Sequence, residues 1–147
     1  MQLIFDDGGR AKAGFTGIAG DCCCRAFAIA AQRDYREVYE AIRTLATKER
    51  TGKRKRGVSS PRDGVYKNTA HKLAYILNPR VRWVPTMGIG MGCRVHLRDG
   101  ELPMGRLVVQ VSKHFVAVVD GIMHDIHDPS RAGTRCVYGY WDFSNLH

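Results

Sequence analysis

The chain has 147 residues, 44% of them hydrophobic, which is enough for one domain with a real core. No apolar run approaches the ~20 residues of a membrane span, and the acidic start Met1-Gln2-Leu3-Ile4-Phe5-Asp6-Asp7 is not that of a signal peptide. The net charge of +9 invites a polyanionic partner, so its distribution along the chain matters.

Leu3-Ile4-Phe5 predicts a short strand, followed by the turn-rich Asp7-Gly8-Gly9 and Gly14-Phe15-Thr16-Gly17. Gly20-Asp21-Cys22-Cys23-Cys24-Arg25 opens a helix expected over about 22–33, with Asp21 as N-cap and an uncharged run from Ala26 to Ala31 that belongs in the core. Asp34-Tyr35-Arg36-Glu37 has the pattern of a capping box, and Val38, Ile42 and Leu45 give the next helix its apolar side. The basic run Lys48–Arg56 starts a loop expected over 48–63, solvated and mobile. Within it Lys53, Arg54, Lys55 and Arg56 are the candidates for contact with a polyanion. No aromatic residue is interleaved with them, so nucleic acid is not the expected main partner.

A third helix is expected over 64–77, with Val65, Thr69, Leu73, Ile76 and Leu77 on one side; His71 falls within it as an ordinary histidine. From Arg80 onward the pattern turns to short β-type runs, at 81–84, 94–97, 106–111, 115–119 and 122–126. Asp120-Gly121 is a two-residue hairpin signal, and the aromatic stretch Cys136–Trp141 is expected to close the sheet. The glycine-rich Met87–Gly92 lacks the Lys-Ser/Thr of a phosphate-binding loop. Helices first and antiparallel strands second make an α+β domain spanning residues 1–147.

Five cysteines, three of them adjacent, do not form a disulfide framework, because neighbours on a helix cannot bridge one another; a reducing, cytoplasmic place of synthesis follows. Cys22, Cys23, Cys24, Cys93, Cys136, His124 and His127 show no zinc-ligand spacing, so no metal or other cofactor is expected. A thiol at a helix N-terminus is instead favoured as thiolate by the helix dipole. Such a nucleophile needs a base and an orienting group. His114 begins the strand before the Asp120-Gly121 turn. With Val119 opposite Ile122, His114 faces His127, and Asp125 faces Val116, one diagonal step from His114. Asp125 is the favoured orienting carboxylate, with Asp128 the alternative.

Gly20-Asp21-Cys22-x-x-Arg25-Ala26, His114-x-Val116-Ala117-Val118-x-Asp120-Gly121, Asp125-x-x-Asp128 and Val137-Tyr138-Gly139-Tyr140-Trp141 together resemble small papain-like cysteine peptidases of bacteria and phages. The resemblance implies a papain-like fold with N-terminal helices packed on a C-terminal antiparallel sheet. It also implies Cys22 as nucleophile, His114 as base and Asp125 or Asp128 as orienter. Enzymes of this type carry a glutamine upstream of the cysteine that binds the oxyanion. Here Phe15-Thr16-Gly17-Ile18 occupies that region, leaving the Cys22 N–H with Thr16 or Asp21 as oxyanion candidates.

The function expected is a peptidase or amidase acting through an acyl-enzyme. Its substrate would be a protein or peptide, including a peptidoglycan peptide, and a phage-encoded copy would be virion-associated. Two alternatives stay open: a non-catalytic papain-like scaffold with a structural or interaction role, and a basic nucleic-acid-binding module.

Overall fold

In the computed structural model, which describes residues 1–51 and 57–144, three helices pack on a six-stranded, mostly antiparallel sheet, an α+β arrangement. Lys53, Arg54, Lys55 and Arg56 lie outside the described residues. No helix among the described residues is long and apolar enough to cross a membrane.

Helix α1, Cys22–Ala31, is buried from Cys23 through Ala30, because its small and apolar side chains let it sit between the sheet and the other helices. Asp21 holds the N-cap position without a side-chain cap bond; its carboxylate is engaged elsewhere. Helix α2, Tyr35–Ala46, buries Val38, Ile42 and Leu45. The expected capping box does not form: Asp34 makes no side-chain cap bond, and Glu37 pairs with Arg33 at 2.5 Å. Helix α3, Lys67–Leu77, buries Thr69, Ala70, Leu73, Ala74 and Leu77. Ile76, expected on that side, is exposed because it lies outside this stripe.

The strands are β1 Leu3–Phe5, β2 Arg82–Pro85, β3 Arg106–Val111, β4 His114–Val119, β5 Ile122–Asp125 and β6 Gly139–Asp142, in the order β1-β5-β4-β3-β6-β2. Two expectations change. β1 pairs parallel with β5, and β6 does not close the sheet but runs between β3 and β2, leaving β2 at the edge. The Asp120-Gly121 turn has both residues at positive φ, 49° and 80°, as a two-residue hairpin requires, and Val119 faces Ile122 as expected.

The sheet divides the core. Phe27, Val38, Leu73, Phe115 and Trp141 pack on the helix side. Leu97, Leu107, Val109, Val116 and Met123 pack on the other. His71 is structural: its Nδ1 accepts the Trp141 indole N–H at 3.0 Å. The loop after β1 touches α1 closely. A Cβ on Gly8, at φ +71°, would lie 2.9 Å from the Arg25 Cα, so this approach needs glycine.

Hydrogen bonds anchor both ends of the expected basic loop. Glu49 accepts from the Ser59 N–H and the Thr69 hydroxyl, and Ser60 bridges Gly64. The chain also holds one disulfide that the sequence reading set aside, between Cys93 and Cys136, with Cα atoms 5.8 Å apart. The β-bridge from His96 to Cys136 draws the two segments together, which spacing alone does not reveal.

Candidate active site

The N-terminus of α1 meets the start of β4. Cys22 is the first helical residue, and the His114 ring and the Phe115 backbone N–H are close enough to act on the acidity of its thiol. His114 is the first residue of β4, and its Nε2 lies 2.7 Å from Asp125 Oδ2. That leaves Nδ1 for the thiol. Asp125 ends β5, where its Oδ1 accepts the Ile126 N–H at 2.7 Å and Arg25 Nη2 at 3.2 Å. Asp128 does not share this arrangement. It is exposed past the strand end and accepts the Ser130 N–H at 2.8 Å, holding the turn around Pro129.

Behind the site lies a buried polar network that the sequence reading missed. Arg25 bonds to both Asp21 and Asp125. The Tyr35 hydroxyl donates to Asp21 Oδ2 at 2.6 Å and accepts from Arg10 Nη1 at 2.8 Å. The visible signals were the Asp21–Arg25 spacing of four on a helix and a lone arginine in an otherwise uncharged core run.

The network also corrects the oxyanion candidates. Asp21 is a carboxylate occupied by Arg25 and Tyr35, so it accepts hydrogen bonds and does not offer one to an oxyanion. Thr16 lines a different cavity, with Arg10, Phe15 and Asp21, and its carbonyl takes Arg10 Nη2 at 3.1 Å. The Cys22 N–H, in the first helical turn, keeps its place as a candidate because such groups have no intrahelical acceptor.

The three cysteines differ sharply in acidity. Burial alone would raise Cys22, but the His114 bond and charge, the Phe115 N–H and the Arg25 charge bring its thiol below the ordinary value. Burial likewise acts to lower His114, yet its bonds to Asp125 and Cys22 outweigh it and hold the imidazole at about 9. The pair therefore favours thiolate and imidazolium. Burial acts to raise Asp125, but the His114 bond, the Ile126 N–H and Arg25 keep it below the usual carboxylate range. Burial and the neighbouring thiols push Cys23 well up, and burial with the Asp21 charge pushes Cys24 up to about 12.

A cavity of about 440 Å³ opens beside the pair, within the size range of ligand sites. Cys22, His114 and Phe115 line it together with Gln110, Val65 and Tyr66. Ligand atoms of His114, Asp125 and His127 also lie within 4.8 Å of one another. A cation held there would face the Arg25 guanidinium on the same carboxylate and would displace the His114–Asp125 bond. The donor set suits a proton on His114 better than a metal.

Comparison of the chain with protein-family models, with curated proteins and with solved structures finds no match. The functional reading therefore rests on the site's geometry and chemistry.

Proposed function

We propose that this protein is a papain-like thiol hydrolase that cleaves amide or isopeptide bonds of a peptide or protein substrate. The observation that carries the reading is that Cys22 and His114 line one cavity and His114 bonds Asp125, which is clamped from behind by Arg25. The Cys22 thiolate adds to the carbonyl carbon, and negative charge develops on the carbonyl oxygen near the α1 N-terminus. The C–N bond breaks as imidazolium His114 gives its proton to the leaving amine, and a thioester remains on Cys22. Neutral His114 then takes a proton from water, the hydroxide displaces sulfur, and the acid leaves with the thiolate regenerated. Asp125 holds the ring orientation throughout. An amine in place of water would turn the second half into acyl transfer.

Limiting iodoacetamide near pH 6, with adducts mapped by mass spectrometry, tests this. The reading expects selective labelling of Cys22 that His114→Ala abolishes, and a mass increase of one acyl group on Cys22 after p-nitrophenyl acetate. Equal, slow labelling of Cys22, Cys23 and Cys24 would overturn it.

A further inference from the structure

Two lysines line the cavity beside Cys22 and have no role in the chemistry above. Lys113 is the second residue of the two-residue β3–β4 turn, between Val111 and its ladder partner His114. Its φ is +57°, a left-handed backbone that glycine adopts freely and lysine does not. The β4–β5 turn has Gly121 at the equivalent place. Glycine would close the β3–β4 turn more easily, so what the position gains is the lysine side chain. Arg135 pins this turn by donating to the Ser112 carbonyl. Lys67 opens α3, and its Nζ stands 4.9 Å from the centre of the Trp83 ring, a cation–π contact that limits where the ammonium can go.

Both lysines are exposed, so they edge the cavity rather than floor it. Against them the lining sets one carboxylate, Asp63, which already accepts the Ser60 hydroxyl at 3.4 Å. Val58, Val65 and Phe115 supply apolar wall. A carboxylate entering here meets two ammonium groups for one like charge, and an ammonium meets the reverse. Exposed pairs of this kind are individually weak, so their effect is a preference between substrates rather than a large gain in binding.

We propose that Lys67 and Lys113 are specificity-determining residues: they favour acidic peptides, in which an aspartate or glutamate side chain close to the scissile bond occupies this cavity. This rests on the thiol-hydrolase reading. Lys113 adjoins His114 in the chain, so a carboxylate that it holds stays close to the bond under attack.

The test uses the full chain and peptidyl acyloxymethyl ketones that carry Glu, Gln or Lys in turn at each of the two positions nearest the reactive group. Glutamate and glutamine have nearly the same shape, so their ratio isolates the charge. Rates of Cys22 labelling are read by intact mass at low salt, with the site confirmed by peptide mapping. At one or both positions the Glu probe should react about 3- to 10-fold faster than the Gln probe, with the Lys probe slowest. In about 1 M NaCl, where the Debye length is about 3 Å, the Glu-to-Gln ratio should approach one. The Lys67→Gln, Lys113→Gln double variant should bring it near one at low salt. Lys113→Gly should lower the ratio while the melting temperature holds or rises, because glycine suits that backbone. The ratio is internal to each variant, so a general change in Cys22 reactivity cancels. A Gln probe that reacts as fast as the Glu probe at both positions in the native protein, or a ratio that the double variant leaves unchanged, overturns the role of the lysines and leaves the hydrolase reading standing. If no probe and no iodoacetamide labels Cys22 selectively, both fall together.

Discussion

Arg25 Nη2 lies 3.2 Å from Asp125 Oδ1, across 100 residues of sequence, with both side chains almost wholly buried. Nη1 of the same guanidinium holds Asp21, the residue just before Cys22. One side chain on α1 thus fixes the sheet carboxylate that orients His114 against the helix that carries Cys22. The clamp ties the two halves of the site to a single geometry.

Removing it should be expensive. Arg25→Met leaves Asp21 and Asp125 buried with their shared counter-charge gone, and breaking a buried pair this way costs about 3–5 kcal/mol. Arg25→Lys should recover only part, because a single ammonium does not reproduce the fork that reaches both carboxylates. Urea unfolding of the two variants beside the native protein checks the order. Met and Lys variants of equal and near-native stability would show that the clamp contributes little.

The pH dependence follows from the directions of the two acidities. Cys22 lies below its ordinary value, so alkylation should rise as pH increases through that lowered value and then stay level, since iodoacetamide needs only the thiolate. Amide turnover also needs the His114 proton, so it should rise with the same limb and fall again as pH passes about 9. Asp125→Asn removes a bond that raises His114 while its burial, which lowers it, stays; the falling limb should move to lower pH and the rate should drop about 10²- to 10⁴-fold. Paired pH profiles of alkylation and turnover separate the two limbs. A single shared profile, unchanged in Asp125→Asn, would contradict this account.

Much of this site was legible because local rules set it. The Asp120-Gly121 turn fixes the β4–β5 register, and that register brings Asp125 rather than Asp128 beside His114. The papain-like resemblance singled out Cys22 among the three cysteines, and the fold makes it the first residue of α1. What was hidden depends on tertiary packing. Arg25 was readable as an oddity in a core helix, but its partner lies a whole domain away. Asp21 and Thr16 were judged by nearness to Cys22 in sequence, whereas the fold turns both toward Arg10. Strand β1, three residues long, carries too little alternation to declare its parallel pairing.

The Cys93–Cys136 disulfide should stabilise the fold without taking part in the chemistry. It joins residues 43 apart, and closing a loop of that length is worth about 2–4 kcal/mol. Next to it, Arg135 donates to the Ser112 carbonyl in the β3–β4 turn that leads into His114, and to the Pro129 carbonyl at 3.3 Å. Reductant should therefore lower the melting temperature of the native protein and leave a Cys93→Ser, Cys136→Ser double variant unaffected. A native melting temperature insensitive to reductant would count against the bond's contribution.

Tyr35 gives the sharpest separation of polar from apolar support behind the site. Its ring is buried and packs edge-on against Phe15 at 5.3 Å, while its hydroxyl links Arg10 to Asp21. Tyr35→Phe keeps the ring and its volume but strips a donor from Asp21 and an acceptor from Arg10, a loss of about 1–3 kcal/mol. Arg10 Nη1 already stands 3.7 Å from Asp21 Oδ2, so the arginine can close part of the gap, which argues for the lower half of that range. Because Arg25 and Tyr35 share Asp21, their effects should not add: the Arg25→Met, Tyr35→Phe double variant should differ from the sum of the singles by about 0.5 kcal/mol or more. Urea midpoints for the four proteins of this cycle measure the coupling directly. Strict additivity would mean that Asp21 does not connect them, and that the network behind Cys22 is two independent pairs.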